Sequence, residues 1–218
     1  MTELTAVAAG LLYLVAVVLL LAVRTWQQYR TTGSTGFNGF RGAAQDPAAR
    51  IAGIGFAVAV LTGLVAPWLA AAVVLPVWSL PIAVPAVGAV VAAGGLLLGR
   101  TAQQAMGRSW RIGVDVAEAT DLVTHGPFRL VRNPIFTALM MIQAGTAVMA
   151  PTWLSAAGAV LMVAACQAQT RLVEEPYLLR RHGDAYRAYA AEAGRFVPGL
   201  GRLPRPAQAA RRAVEERS

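Results

Sequence analysis

The chain has 218 residues, of which 56% are hydrophobic and only 14% are charged. An ordinary soluble domain carries about a quarter charged residues, and long uncharged runs are typical of membrane spans. All 19 basic residues are arginine and the formal net charge is +8, which in a soluble protein would suggest nucleic-acid binding. Enrichment of basic residues in cytoplasmic loops explains the same charge, so the composition favours an integral membrane protein without a nucleic-acid partner.

The first part of the chain predicts three membrane spans, at residues 4–23, 51–75 and 82–99. Arg24 directly follows the first run, so its amino end is expected outside the cell and its carboxyl end in the cytoplasm. The connecting segment 31–50 has glycine at every third position over four glycines, but no strand precedes it and no Lys-Ser/Thr pair follows. It is therefore predicted to be a flexible cytoplasmic connection rather than a phosphate-binding loop. In the third span, small residues should let a neighbouring helix approach closely: Gly88, Gly94 and Gly95.

A polar stretch at residues 101–133 separates these spans from an apolar hairpin. The hairpin consists of residues 135–149 and 153–168, which are short for straight spans, so each should extend at its cytoplasmic end or sit tilted. The second helix should continue to Arg181 and break at Gly183, before a short final helix.

Together these patterns predict an all-α integral membrane protein with five transmembrane helices. The protein is expected in the cell inner membrane. Its amino end should lie outside the cytoplasm and its carboxyl end inside, because every arginine then faces the cytoplasm. The expected units are three helices with a Gly-rich loop in residues 1–100, a loop, hairpin and cytoplasmic helices in 101–195, and a basic tail in 196–218.

The hairpin returns a group of charged side chains to the side of the polar loop. Arg171, Glu174 and Glu175 are spaced i, i+3 and i+4, which places them on one face of a helix. Two interpretations stay open, a solvated and salt-bridged helix end or a cytoplasm-facing polar pocket below the membrane helices. His125 has no second histidine or cysteine at ligand spacing, so no metal site is predicted.

Four short motifs occur in order over about the last half of the chain: LVTHGPF (122–128), RNPIF (132–136), RLVEE (171–175) and HGDAYRAY (182–189). In these motifs the chain resembles the isoprenylcysteine carboxyl methyltransferase family, integral membrane enzymes that use S-adenosylmethionine. The resemblance makes residues 101–195 the expected catalytic core, with a cytoplasmic cofactor-binding loop followed by C-terminal helices.

The resemblance implies that S-adenosyl-L-methionine is the methyl donor and S-adenosyl-L-homocysteine the product. It assigns these residues to cofactor binding: Thr120, Asp121, Leu122, Val123, Phe128, Asn133, Pro134, Ile135, Phe136 and Glu175. Arg171 falls where the family holds the acceptor carboxylate, which an arginine can grip bidentately. A carboxylate acceptor is already ionised at neutral pH, whereas an amine or hydroxyl acceptor would need a base, for which Glu174 is the candidate.

Three positions depart from the family pattern. Asn133 stands where the family has histidine, and Phe128 and Phe136 stand where it has tyrosine. These changes keep shape and stacking but remove a titratable ring and two hydroxyls. Three functions stay open: carboxyl methylation of a lipophilic, isoprenylcysteine-like acceptor from the bilayer, which is favoured; methylation of an amine or hydroxyl on a lipid headgroup; and lipid or partner binding without catalysis.

Overall fold

The computed structural model describes residues 2–35, 47–107, 110 and 122–204. In these ranges the chain forms five long helices: α1 (Thr2–Thr32), α2 (Pro47–Ala71), α3 (Ala83–Met106), α4 (Pro134–Met149) and α5 (Trp153–Glu192). Four of these described helices are long and apolar enough to cross a membrane, while α4 is apolar but has only 16 residues. The predicted all-α architecture with five helices is confirmed.

For the first four helices, the predicted first residues lie within a few positions of those in the structure, and the larger differences are at the carboxyl ends. Helix α1 continues past residue 23 to Thr32, through a π-helical turn at Val18–Val23. Helix α2 ends at Ala71, before the predicted residue 75, and the chain then turns at Val73, which has a φ of 58°. The short helix α4 is not extended at the loop side, because it begins at Pro134. Proline suits a first helical turn, since its missing N–H would have no partner there.

Helix α5 is extended far beyond the apolar run, as predicted. The part before Gly183, residues 153–182, is about 45 Å long, or about one and a half times the thickness of the hydrocarbon layer. The apolar sequence ends before Arg171, so the remainder of α5 is expected to lie beyond the hydrocarbon layer. The predicted break at Gly183 is confirmed, because this residue has a φ of 52° and a ψ of −122° within the helix. A π-helical turn at Gln169–Glu174 joins the two parts.

Small residues bring α3 and α4 together almost backbone to backbone. A Cβ atom added to Gly88 would lie 2.6 Å from the carbonyl oxygen of Gly145, and one added to Gly95 would lie 2.8 Å from that of Ala138. The predicted close approach is therefore confirmed for Gly88 and Gly95. At Gly94 a Cβ would meet only the flexible end of Met141, at 3.6 Å.

Contacts at the two ends of the bundle show which connections lie on the same side. At one end the backbone N–H of Trp78 donates to Pro151 O over 2.9 Å, and the ring of Trp78 contacts that of Trp153 edge to face. At the other end, Gln103 Nε2 of α3 donates to Leu20 O of α1 over 2.7 Å. The turn after α2 and the turn of the hairpin thus share one side, and the ends of α1 and α3 share the other.

A polar contact lies in the middle of the apolar bundle. Tyr13 of α1 donates through its hydroxyl to Gln143 Oε1 of α4, over 2.6 Å, and both side chains are buried. Gly158 of α5 leaves room for this contact, because a Cβ there would lie 2.9 Å from Gln143 Nε2 and would clash with the Thr62 hydroxyl. Interhelical hydrogen bonds of this kind fix the relative position of helices where water is absent.

Candidate active site

The polar loop before α4 is joined to the chain that follows α5 by backbone pairing. A short 3₁₀ helix at Gly126–Arg129 leads into an isolated parallel β-bridge between Val131 and Gly194. The N–H of Arg132 donates to Gly194 O over 2.7 Å, and that of Asn133 donates to Arg195 O over 3.2 Å. The start of the RNPIF motif is therefore held by residues that lie about sixty positions later in the sequence.

The first residues of the predicted tail also pack on this core. Thr137 Oγ1 donates to Phe196 O over 2.8 Å, and the N–H of Leu203 donates to Ala190 O over 2.9 Å. Phe196 itself is buried. Residues 193–204, which we call the C-terminal strap, are thus part of the site rather than of a separate tail, and residues 205–218 lie outside the described residues.

Glu175 is the centre of the charged cluster, and its partners are two arginines. Its Oε1 accepts from Arg132 Nη2 over 2.6 Å and from Arg195 Nε over 2.8 Å, and its Oε2 accepts from Arg195 Nη2 over 2.9 Å. The Arg132 side chain is only 1% exposed, so its charge depends on this carboxylate. We refer to Arg132, Glu175 and Arg195 as the Glu175 cluster. It joins the loop, α5 and the C-terminal strap.

Electrostatics separate the two neighbouring acids. Burial would raise the pKa of the Glu175 carboxyl, but hydrogen bonds from Arg195 and Arg132 outweigh burial and hold this pKa below its usual range. The hydrogen bond to Glu175 in turn raises the pKa of Arg195. Burial, reinforced by the charge of Glu175, raises the pKa of Glu174 to about 7. At neutral pH Glu175 is therefore ionised, whereas Glu174 exchanges readily between its neutral and charged forms.

The other predicted cofactor residues occupy different surroundings. Phe128 is buried, and its carbonyl oxygen accepts from the Tyr189 hydroxyl over 2.7 Å. Asn133 is half-buried and its Nδ2 donates to Arg195 O over 3.1 Å, so this side chain supports the strap. Phe136 packs against the Phe56 ring of α2, on the apolar bundle. Four further predicted cofactor residues lie close to these in the sequence: Leu122, Val123 and Ile135, which are half-buried, and Pro134, which is buried. Thr120 and Asp121 lie outside the described residues.

Arg171 is exposed, and its side-chain hydrogen bond is to a residue outside the Glu175 cluster. Its Nε donates to Gln167 Oε1 over 3.1 Å, one turn earlier on α5. The side chain of Leu172, the next residue, is exposed at 48%, and that of Leu130 in the loop is exposed at 62%. The structure thus gathers Arg132, Asn133 and Glu175 at one place and leaves Arg171 exposed next to the end of the apolar run of α5.

Sequence reasoning did not anticipate Arg195 or the pairing role of Arg132. Arg132 was visible only as one basic residue of a cytoplasmic loop, and Arg195 follows the final helix in a stretch without periodicity. Both arginines reach Glu175 through long-range contacts, so no local spacing could have indicated them.

Comparisons with known proteins place this geometry in a family context. The model of a family described as phospholipid methyltransferase matches residues 83–185, which include the loop, the hairpin and Glu175. Among solved structures, the eukaryotic intramembrane Ras methyltransferase ICMT, isoprenylcysteine carboxyl methyltransferase, is similar, with a TM-score of 0.51 over 73% of this chain. The predicted resemblance to ICMT-like membrane methyltransferases is confirmed.

The similarity to ICMT is a similarity of fold. Sequence identity is 21%, so the comparison establishes a shared fold, and the chain spans 55% of the length of that protein. No curated protein sequence matches significantly. The family match ends at residue 185, so the C-terminal strap with Arg195 lies outside the matched region of this ICMT-like chain.

Proposed function

We propose that the protein is a membrane methyltransferase that uses S-adenosylmethionine and methylates the carboxyl group of a lipophilic, isoprenylcysteine-like acceptor. The observation that carries this proposal is the Glu175 cluster, since two of its three residues, Arg132 and Glu175, lie in the region that the methyltransferase family model matches. The cluster presents a carboxylate and a partly exposed guanidinium side by side. This pair suits the amino-acid end of S-adenosylmethionine, which carries an ammonium and a carboxylate.

When bound, S-adenosylmethionine supplies an electrophilic methyl group. The residues that would hold it are Glu175, the half-buried Leu122 and Val123, and the chain around Phe128 and Asn133. Their contribution would be to position the cofactor and to exclude water, because an ionised carboxylate acceptor needs no base.

The acceptor would enter from the lipid side. Leu172 offers an exposed apolar side chain next to Arg171, and the exposed Arg171 could pair the charge of an acceptor carboxylate. In this arrangement Arg171 selects the acceptor, while the cluster around Glu175 serves the cofactor. Membrane lipids and a lipophilic substrate are then the partners of the protein.

A second candidate is methylation of an amine or hydroxyl on a lipid headgroup. It is supported by the description of the matching family and by Glu174, because a carboxyl with a pKa of about 7 is well suited to act as a general base at neutral pH. The two candidates therefore make opposite demands on Glu174. Carboxyl methylation does not use it, whereas amine or hydroxyl methylation depends on it.

Vesicles that contain the purified protein, methyl-labelled S-adenosylmethionine and either farnesylcysteine or phosphatidylethanolamine would test the choice. Carboxyl methylation should give a label that alkali releases as methanol, since esters hydrolyse and N-methyl groups do not. Glu174→Gln should leave this activity unchanged, and Arg171→Ala should raise the KM for the acceptor at least tenfold. Arg180→Ala, at another exposed arginine of α5, is the matched control.

Three results would overturn the proposal. An alkali-stable label that Glu174→Gln abolishes would establish the headgroup reaction instead. An unchanged KM in Arg171→Ala would remove the case for a carboxylate acceptor. Failure of the wild-type protein to bind S-adenosylhomocysteine would favour a membrane protein that retains the fold without catalysis.

A further inference from the structure

Arg195 differs from the other arginine of the Glu175 cluster in what its guanidinium has left to offer. Its Nε and Nη2 both donate to Glu175, but its Nη1 donates to no acceptor among the described residues, and its side chain is 16% exposed. Arg132 is only 1% exposed, and its Nη1 and Nη2 already donate to backbone carbonyls and to Glu175. Arg195 is therefore the member of the cluster that can bind a further group.

The position of Arg195 is fixed before any ligand arrives. Its backbone N–H donates to Leu200 O over 2.7 Å, within the C-terminal strap. Its carbonyl oxygen accepts from the backbone N–H and from the side-chain Nδ2 of Asn133, over 3.2 Å and 3.1 Å. The Glu175 carboxylate then holds two of the three guanidinium nitrogens in a fork. The remaining nitrogen, Nη1, is thus held next to Gly201 of the strap, where a Cβ atom would lie 3.5 Å from it.

The charge of the cluster indicates the class of ligand. Two guanidinium groups and one ionised carboxylate leave an excess positive charge, so an isolated ammonium ion would not be attracted. A carboxylate is the complementary partner of the remaining guanidinium edge, because charge-assisted hydrogen bonds to arginine are strong and directional. Glu175 Oε2 accepts only from Arg195 among the described residues and keeps acceptor capacity for an ammonium group. The cluster is therefore complementary to an α-amino-acid zwitterion.

We infer that Arg195 binds the carboxylate of the amino-acid end of the methyl donor, with Glu175 accepting from the adjacent ammonium group. This inference rests on the proposed function and adds to it a residue outside the matched family region. It also gives the C-terminal strap a role, since the strap carries the residue that recognises one end of the cofactor. The other source of the same chemistry is the carboxylate of the acceptor, and the experiment separates the two.

The test uses calorimetric titration of the full-length protein in detergent with two ligands. S-adenosylhomocysteine carries the amino-acid end, whereas 5′-methylthioadenosine has the adenosine and sulfur without it. Arg195→Lys keeps a cation next to Glu175 but lacks the planar fork. We expect it to weaken S-adenosylhomocysteine at least tenfold and to change 5′-methylthioadenosine less than twofold. Arg187→Lys, at an exposed arginine in the last part of α5, is the control and should change the affinity for neither ligand.

The outcomes are distinguishable. Unchanged binding of S-adenosylhomocysteine by Arg195→Lys overturns the inference, and so does an equal loss of both ligands, which would indicate a damaged site. A raised KM for the acceptor with unchanged S-adenosylhomocysteine binding would assign Arg195 to the acceptor and also overturn it. If the wild-type protein binds neither ligand, the proposed function itself fails, and the inference fails with it.

Discussion

Replacing Glu175 by glutamine should destabilise the protein by about 3–5 kcal/mol, the usual cost of breaking a buried ion pair on one side. The carboxylate accepts three hydrogen bonds from two arginines, and the Arg132 side chain is 1% exposed. A glutamine of the same size keeps one oxygen acceptor, but its amide N–H₂ group would face a guanidinium donor. Arg132 would then be left buried with its charge uncompensated, which is the reason for the large effect.

A thiol-reactive fluorophore provides the assay, because the chain has one cysteine and Cys166 is fully buried. The fluorophore should react only when heating opens the bundle. A loss of about 3–5 kcal/mol corresponds to a decrease of about 6–20 °C in the midpoint for a chain of this length. Ligand-free protein should be compared in one detergent, since a bound cofactor would shift the midpoint by mass action.

The matched control is Asp184→Asn, which breaks the ion pair between Asp184 and Arg187. The two side chains of that pair are 84% and 46% exposed, so its loss should cost at most about 1 kcal/mol. If Glu175→Gln lowers the midpoint by no more than Asp184→Asn does, Glu175 does not hold the loop and strap together. The structural role given to the Glu175 cluster is then wrong.

Three further predictions use the same thiol assay. Because the pKa of Glu175 is lowered, its contribution to folding stability is present above the ordinary glutamate value of 4.5 and is lost as the pH falls through the lowered pKa. The unfolding midpoints of wild type and Glu175→Gln should therefore converge on acidification. A constant difference between them would contradict this. Gly158→Ala should destabilise the bundle by about 1–3 kcal/mol through overpacking, whereas Gly94→Ala, with a Cβ contact at 3.6 Å, should be neutral or stabilising. Tyr13→Phe should cost about 1 kcal/mol by removing the hydrogen bond to Gln143, and an unchanged midpoint would show that this bond is not formed in the membrane.

The helical architecture was predictable because its causes are local. Long uncharged apolar runs have few alternatives to a membrane helix, and they identified the five helices. The break in α5 was predictable for a similar reason, since Gly183 adopts a positive φ of 52° that glycine accepts without strain. The exact helix ends were less predictable, because backbone hydrogen bonding continues into polar sequence, as it does in α1 up to Thr32.

The charged site was only partly predictable because its contacts are long-range. Local spacing put Arg171 beside the two acids, whereas in the structure Arg171 contacts Gln167. The partners of Glu175 are 43 and 20 positions away, and only the β-bridge and the folded strap bring them to it. Periodicity describes one helix at a time, so it could place Glu175 on the helix after the last apolar run without finding Arg132 or Arg195.

The continuity of α5 makes the candidate site sensitive to the bilayer itself. Val160 lies exposed in the apolar part of this helix, and Glu175 lies beyond it on the same axis. The 15 residues between them span about 22 Å, so a change of about 10° in helix tilt displaces Glu175 by about 4 Å. Lipids with longer or shorter acyl chains change the tilt of a helix by hydrophobic mismatch. Such a displacement would strain the hydrogen bonds by which Glu175 holds Arg132 of the loop and Arg195 of the strap. Acyl-chain length is therefore expected to change the stability of the Glu175 cluster and, with it, the affinity for the proposed cofactor.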